Sequence, residues 1–297
     1  MKLFKILYLL FLTVSTINAQ GRFDEVEVVT TKVTNELYML QGAGGNIAIL
    51  TGDDGVLMVD SQFADLSEKN KAAIKKLSDH KVNFLINTHW HGDHTGGNEA
   101  FAEDGAIIVA HQNVKNRLSK DELIQAFSRE IKAKPKGFWP VISYNEDMQL
   151  HFNEEEVILI HVHNAHTDGD GLVYFADRNV LHMGDTYFQG KFPFIDLSTG
   201  GSVDGLIEAV QAAMMLCDTE TIIIPGHGAL SDKKELFEYY TMLVTMKHRV
   251  MTAIVEGKTV DDIKTMGLDE GYEAWGTGFI SSEKMLDQIW TDYNREE

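Results

Sequence analysis

The segment 86–98, INTHWHGDHTGGN, is the feature that most restricts what this chain can fold into. Four metal-binding side chains, His89, His91, Asp93 and His94, lie within six residues, directly after an almost continuous apolar run. Such a run is typical of a strand that is covered on both faces, as in a parallel sheet. The four side chains therefore follow the carboxyl end of a buried strand, which is where open α/β sheets place their sites.

The spacing of these side chains predicts metal binding. His89 and His91 are two residues apart, so in extended backbone they point the same way and can hold one ion. Asp93 and His94 follow Gly92, where the chain can turn, and they point to a second position nearby. Imidazole and carboxylate ligands without thiolate suit Zn²⁺, and also Mn²⁺ or Fe²⁺.

Three further candidate ligands also follow predicted strands. His166 comes after VILIHV, Asp185 ends the run VLHMGD, and His227 ends TIIIPGH. Because sites in α/β proteins form where strand ends meet, we expect these three side chains to complete the site begun by the 86–98 segment.

The rest of the chain predicts two similar α/β halves. The first contains a hairpin at Asp53-Asp54-Gly55 and a helix over 62–79, and the second contains a hairpin at Asn153-Glu154 and a helix over 203–214. Each half ends in a buried strand. Two such sheets facing each other, with helices outside, make a four-layer α/β/β/α sandwich. Further helical patterns cover 112–133 and the residues from 232 onward.

The metal-binding motifs resemble those of the metallo-β-lactamase superfamily. The run from His89 to His94 resembles the HxHxDH signature, and three later motifs follow in order: Ala165-His166-Thr167, Gly184-Asp185-Thr186 and Pro225-Gly226-His227-Gly228. The resemblance covers about residues 25–230. It implies the αββα metallo-β-lactamase fold and two zinc ions per chain.

The resemblance also implies a role for each matched residue. It implies that the first zinc is bound by His89, His91 and His166. It implies that the second zinc is bound by Asp93, His94 and His227, and that Asp185 bridges the two ions. Asp60, at the end of GVLMVD, matches an aspartate that supports the ligands from behind.

These roles predict a dinuclear zinc-dependent hydrolase in which a metal-bound hydroxide cleaves an ester, thioester, lactone or amide bond. Asp93 would orient the hydroxide and pass on a proton. The antibiotic-degrading enzymes of the superfamily that this chain resembles have cysteine or serine at the position of Asp185. An aspartate resembles lactonases, thioesterases of the glyoxalase II kind and phosphodiesterases instead. A true β-lactamase is the first alternative, and a non-catalytic metal-dependent binding protein is the second.

The substrate-contacting residues are not determined by these motifs. We expect the loops 42–46, 134–141 and 186–201 to surround the substrate, because they adjoin the predicted strand ends. Five aromatic residues of these loops are candidates for the mouth of the site: Phe138, Trp139, Phe188, Phe192 and Phe194.

Residues 1–19 are typical of a secretory signal, with two lysines, a short apolar core and a cleavage pattern ending at Ala19. We therefore expect a periplasmic or secreted protein, with residues 20–297 forming one domain that ends in helices and has no membrane contact after processing. The chain has 26 basic and 45 acidic residues, and its net charge of −19 disfavours nucleic acid as a partner. The expected partner is a small-molecule substrate.

Overall fold

The computed structural model of this protein describes residues 21–268 and 271–295. The predicted signal at 1–19 lies outside these residues. Within the described ranges, no helix combines the length and the apolar character needed to cross a membrane.

The first sheet has seven strands and carries the 86–98 segment in its parallel part. In spatial order the strands are β1 (Val29–Lys32), β2 (Leu37–Gln41), β3 (Ile47–Gly52), β4 (Gly55–Val59), β5 (Val82–Asn87), β6 (Ile107–His111) and β9 (Ile142–Tyr144). The strands from β1 to β4 pair antiparallel, and those from β4 to β9 pair parallel. The metal-binding motif thus follows β5, a strand with neighbours on both sides, as predicted.

The second sheet has five strands, and a small hairpin stands apart from both sheets. The five are β10 (Asp147–Phe152), β11 (Glu155–His161), β12 (Gly171–Phe175), β13 (Val180–His182) and β14 (Ile222–Ile224), and the small hairpin is β7 (Glu122–Ile124) with β8 (Arg129–Ile131). The predicted hairpin at Asn153 and Glu154 is confirmed. Both residues have a φ of 56°, the left-handed conformation that tight two-residue hairpins require.

Eight helices are present in the described part of the chain. They are α1 (Ser67–Lys75), α2 (Gly92–Thr95), α3 (Asn98–Glu103), α4 (Gln112–Leu118), α5 (Val203–Leu216), α6 (Lys233–Val255), α7 (Val260–Thr265) and α8 (Ser282–Asn294). The start of α5 is fixed by Ser202, whose hydroxyl accepts a hydrogen bond from the Gly205 amide.

The alternation of side chains along the strands separates the core into layers. In β3, Ala48 and Leu50 face the other sheet, whereas Ile47 and Ile49 face α1 and α3. On the far side, the second sheet packs against α5, α6 and α8 through a larger cluster. The order helix, sheet, sheet, helix confirms the predicted four-layer αββα sandwich.

Two predicted helices differ from the observed elements. The helix predicted over 112–133 ends at Leu118, and the chain then forms the β7–β8 hairpin. The helix predicted over 62–79 covers only Ser67–Lys75, because Gln62 has a left-handed φ of 55° and the chain then forms a 3-10 turn at Ala64–Leu66. The first prediction rested on a polar segment and the second on apolar residues that share a helical face, and both extended beyond the observed helices.

Candidate functional site

Seven side chains that follow four different strands meet at one edge of the sandwich. Their ligand atoms form two groups, within each of which all atoms lie within 4.8 Å of one another: His89, His91, His166 and Asp185; and Asp93, His94 and His227. These are the seven residues that the sequence suggested, and the structure brings all of them together. The sequence motif alone supplies four of them, since α2 begins at Gly92 and turns the chain from the first group to the second.

Asp185 lies between the two groups. Its Oδ2 atom is 3.9 Å from His89 Nε2 and 3.7 Å from His166 Nε2, both in the first group. Its Oδ1 atom is 3.0 Å from His94 Nε2 and 3.3 Å from His227 Nε2, both in the second. One carboxylate therefore presents one oxygen to each group.

The imidazole rings are held from behind, so that one nitrogen of each faces the centre of its group. The Nδ1–H of His166 donates to the Phe194 carbonyl at 2.7 Å, and the Nε2–H of His91 donates to Asp196 Oδ2 at 3.0 Å. These bonds leave His91 Nδ1 and His166 Nε2 only 2.8 Å apart on the inner side. Fixing the outer nitrogen selects the tautomer whose inner nitrogen can bind a cation.

Asp60 supports one histidine of each group, as the resemblance implied. Its Oδ2 atom accepts from His94 Nδ1 at 2.7 Å and from the Thr88 hydroxyl at 2.7 Å. The Thr88 oxygen in turn accepts from His89 Nδ1 at 3.1 Å. Asp60 is fully buried and has a φ of 62°, a strained conformation for a non-glycine residue that such a network can hold in place.

The inner atoms fit divalent cations. His89 Nε2, His94 Nε2 and Asp185 Oδ1 are buried and make no hydrogen bond. A buried polar atom without a partner costs about 1–3 kcal/mol, so three of them facing one space favour an additional ligand there. Imidazole nitrogens and carboxylate oxygens are donors that zinc accepts, together with manganese and iron.

Three of the candidate ligands, His89, His166 and Asp185, are held in the form that binds a metal. Burial lowers the pKa of His166 to about 4, and burial together with His94 lowers the pKa of His89 well below its ordinary value. Burial opposes the charged form of Asp185, but His227 and His94 outweigh it and hold the pKa of this carboxyl well below its usual range. Burial also opposes the charged forms of His94 and His227, but Asp185 outweighs it and raises the pKa of both imidazoles, so a cation that binds there must displace their protons.

Two glycines allow the backbone to approach the ligands. A Cβ atom on Gly226 would lie 2.1 Å from Asp185 Oδ1, and one on Gly45 would lie 2.1 Å from the His94 ring. The glycine-rich 42–46 loop, which the sequence marked as a neighbour of the substrate, thus contacts a ligand directly.

Asp196 is a site residue that the sequence reasoning missed. It lies eleven positions after Asp185 in an irregular segment, and no motif or spacing marks it. Its pKa is about 2, because the hydrogen bond and charge of His91 outweigh the effect of burial. Asp196 is thus an ionised carboxylate that orients His91.

Replacing Asp196 with alanine is expected to lower the affinity for the first metal ion about 10- to 100-fold, the usual effect of removing such a supporting carboxylate. Competition against a chelating dye measures it. Asp196→Asn is the matched control, because its amide oxygen can still accept from His91 Nε2. Equal affinities of the wild-type and alanine variants would show that Asp196 does not position His91.

The other histidines of interest do not join either group. His182 is buried in β13 and its Nε2 contacts the Asn46 carbonyl at 3.1 Å. His111 and His161 stack on each other with ring centroids 3.8 Å apart. The His163 side chain is 68% exposed.

Two of the five aromatic residues proposed for the mouth of the site, Phe188 and Phe194, contact histidines of the ligand groups. Phe188 stacks on His227 with centroids 5.1 Å apart, and Phe194 lies 5.9 Å from His91. Phe192, in contrast, is buried, and its ring centroid lies 6.4 Å from that of Trp275. Phe138 and Trp139 interact with Lys134, through its ammonium group and its carbonyl respectively.

Comparison with known proteins agrees with this geometry. The family model described as the metallo-beta-lactamase superfamily matches residues 40–227. The chain is 27% identical over 168 residues to the 2,4-dinitroanisole O-demethylase subunit alpha of a Nocardioides species, an alignment covering 56% of this chain and 48% of that subunit. It is 26% identical over 150 residues to a probable metallo-hydrolase of Bacillus subtilis, covering 50% and 69%.

A third relative is the hydroxyacylglutathione hydrolase of a Polaromonas species, 25% identical over 173 residues, with 56% of each chain covered. The chain therefore spans only about half the length of two of these three relatives. Two of the three are named hydrolases, which agrees with the predicted reaction class.

Solved structures show the same fold. A metallo-beta-lactamase from Pontibacter korlensis superposes with a TM-score of 0.60 at 18% identity, covering 73% of this chain and 99% of that one. A sec-alkylsulfatase from a Pseudomonas species superposes with a TM-score of 0.67 at 14% identity, covering 92% and 51%. The matched family model, the shared fold and the converging motifs establish that this chain belongs to the metallo-beta-lactamase superfamily.

Proposed function

We propose that this protein is a dinuclear zinc-dependent hydrolase that cleaves an ester, thioester, lactone or amide bond of a small molecule. The observation that carries the proposal is the position of Asp185, whose two oxygens face two separate groups of ligands. A single-ion site needs no such shared carboxylate, whereas paired-metal hydrolases hold their ions close together.

Zinc ions held by the seven ligands would activate a water molecule and polarise the scissile carbonyl. The chain itself supplies Asp93, whose Oδ2 atom lies 3.5 Å from His227 Nε2 and 4.0 Å from His94 Nε2. The Asp93 side chain is 26% exposed, so it lies at the open side of the site, where a substrate enters. We propose that Asp93 orients the attacking water, accepts a proton from it and passes that proton to the leaving group.

A substrate panel tests this proposal. The protein, loaded with zinc, is assayed against a hydroxyacylglutathione thioester, an aliphatic lactone and a chromogenic cephalosporin. We expect turnover of the thioester or the lactone, since aspartate occupies position 185 and a named relative acts on hydroxyacylglutathione. Turnover of the cephalosporin alone would favour the β-lactamase alternative. Tight binding without hydrolysis of any panel member would identify a metal-dependent binding protein.

Metal removal is expected to lower the stability of the folded protein. Ligands that bind only the native state stabilise it by about 4.1 kcal/mol per site at a thousand-fold excess over the dissociation constant. Thermal unfolding with and without a chelator measures this change. His80→Ala, an exposed histidine outside both groups, is the control and should respond to the chelator as the wild type does. An unchanged Tm would contradict specific metal binding.

We also propose that the protein is exported, because residues 1–19 have the composition of a secretory signal. The processed protein from a bacterial host is expected to begin at Gln20, which N-terminal sequencing determines. A chain that retains Met1 in the cytoplasm would overturn this assignment.

A further inference from the structure

Three aromatic rings form a continuous surface that begins at the first ligand group. The Phe194 ring lies 5.9 Å from the His91 ring, with 28° between their planes. Phe127 lies 4.9 Å from Phe194 and 5.1 Å from Phe279, and Phe279 lies 6.4 Å from Phe194. We call Phe127, Phe194 and Phe279 the aromatic surface.

The aromatic surface is assembled by parts of the chain outside the central motifs. Phe127 lies at the turn of the β7–β8 hairpin, and Phe279 lies just before α8, beyond the residues 40–227 that define the family. The hairpin is tied to the segment that orients the ligands, since the Gln125 amide donates to the Ser198 hydroxyl at 3.3 Å. The surface is therefore a feature of this chain that is fixed next to the site.

The outer end of the aromatic surface is open to solvent. Phe194 is 6% exposed, but Phe279 is 67% exposed. Exposed apolar side chains are common on protein surfaces, so the exposure of Phe279 alone indicates no ligand. Its ring contacts, which lead through Phe194 to His91, are what point to contact with a substrate.

One lysine covers this exposed end. The Lys284 ammonium group lies 5.1 Å from the Phe127 centroid and 5.8 Å from the Phe279 centroid. Within the described residues, no carboxylate lies within 4 Å of it, although acidic residues outnumber basic ones 45 to 26 in the chain. An ammonium group held over aromatic rings without an acidic partner is available to an anionic ligand.

We propose that Phe127, Phe279 and Lys284 form a specificity subsite for a substrate that joins an apolar, ring-containing group to a terminal anionic group. The apolar part would lie on the aromatic surface, and the anion would pair with Lys284. This inference rests on the proposed hydrolase function, because it places the subsite beside the bond that is cleaved.

The test compares two thioesters of one shape on the zinc-loaded, full-length protein. One carries a 4-carboxybenzoyl group and the other its neutral 4-carbamoylbenzoyl counterpart. We expect the wild type to have an about five-fold higher kcat/KM for the 4-carboxybenzoyl thioester, because a partly exposed ion pair with Lys284 lowers its KM. Lys284→Met should abolish that preference and leave the neutral thioester unchanged. Lys81→Met is the control, because Lys81 is exposed at the opposite end of β5.

The aromatic part of the subsite has its own variant. Phe279→Ala should raise KM for both thioesters about three- to ten-fold without changing kcat, as the loss of a stacking contact predicts. The exposure of Phe279 keeps the effect of this substitution on folding small. If Lys284→Met kept the preference for the 4-carboxybenzoyl thioester, or if Phe279→Ala left KM unchanged, the proposed subsite would be wrong.

A binding measurement separates this inference from the proposed function. Calorimetry compares phenylbutyrate with neutral phenylbutanol on the wild-type and Lys284→Met proteins, and it needs no turnover. If neither thioester and no member of the substrate panel is cleaved, but phenylbutyrate binding weakens about five-fold in Lys284→Met, the subsite stands and the hydrolase function fails. If thioesters are cleaved and phenylbutyrate binds both proteins equally, the function stands and the subsite fails.

Discussion

Replacing Asp185 with asparagine is expected to lower kcat/KM by about a thousand-fold or more. The wild-type carboxylate faces both ligand groups, and an asparagine amide can present only one oxygen to a cation. Charge stabilisation by a correctly held metal contributes several kcal/mol to the transition state, and each 1.36 kcal/mol corresponds to a factor of ten. Steady-state kinetics on the best member of the substrate panel measure the loss.

The Asp185→Asn protein should still fold. Without Asp185, His94 and His227 lose the charge that raises their pKa and can become neutral, so no uncompensated charge stays buried and the metal-free variant and wild type should unfold at similar temperatures. Asp104→Asn is the matched control, because Asp104 makes only a surface ion pair with Lys71. Retention of more than a tenth of the wild-type activity by Asp185→Asn would exclude a shared, bridging carboxylate.

Replacing Gly45 with alanine is expected to lower kcat/KM at least about a hundred-fold. The added methyl group would lie 2.1 Å from the His94 ring, which is held in place by its bond to Asp60. The backbone on the other side cannot retreat, since the amides of Gly45 and Asn46 donate to the carbonyls of Asp93 and Gly226. His94 must therefore leave the position from which it contributes to the second group, at a cost of about 1–3 kcal/mol in overpacking alone.

Gly92 gives the control for this prediction. It lies inside the metal-binding motif, yet a Cβ atom there meets no other atom within 4 Å and its φ is not positive. Gly92→Ala should retain nearly full activity and metal content, whereas Gly45→Ala should lose the second ion, as measured by elemental analysis. If Gly92→Ala lost more activity than Gly45→Ala, a clash between a Cβ atom at position 45 and the His94 ring would not explain why glycine is needed there.

The sequence predicted which seven side chains come together at this edge, because the strands that precede them have clear apolar runs. The motif from His89 to His94 fixes two groups through one turn at Gly92, and the later ligands each end a run that packs as a strand. The four-layer fold followed from the same apolar runs, since strands buried on both faces require helices outside and a second sheet inside.

The parts that the sequence did not predict depend on contacts between distant segments. Asp196 supports His91 from an irregular loop, and the Phe194 carbonyl, a backbone group of no fixed residue type, holds His166. The β7–β8 hairpin replaced the second half of a predicted helix. It packs on the segment that contains Ser198, a long-range contact that local propensity does not encode.

The zinc stoichiometry of the protein is the most direct test of the central claim. The metal-free protein is titrated with Zn²⁺ and the bound metal is counted by native mass spectrometry, in parallel with Asp185→Asn. We predict two ions per chain for the wild type and weakened, incomplete occupancy for the variant. A wild-type chain that saturates with one ion, or that binds none, would contradict the account.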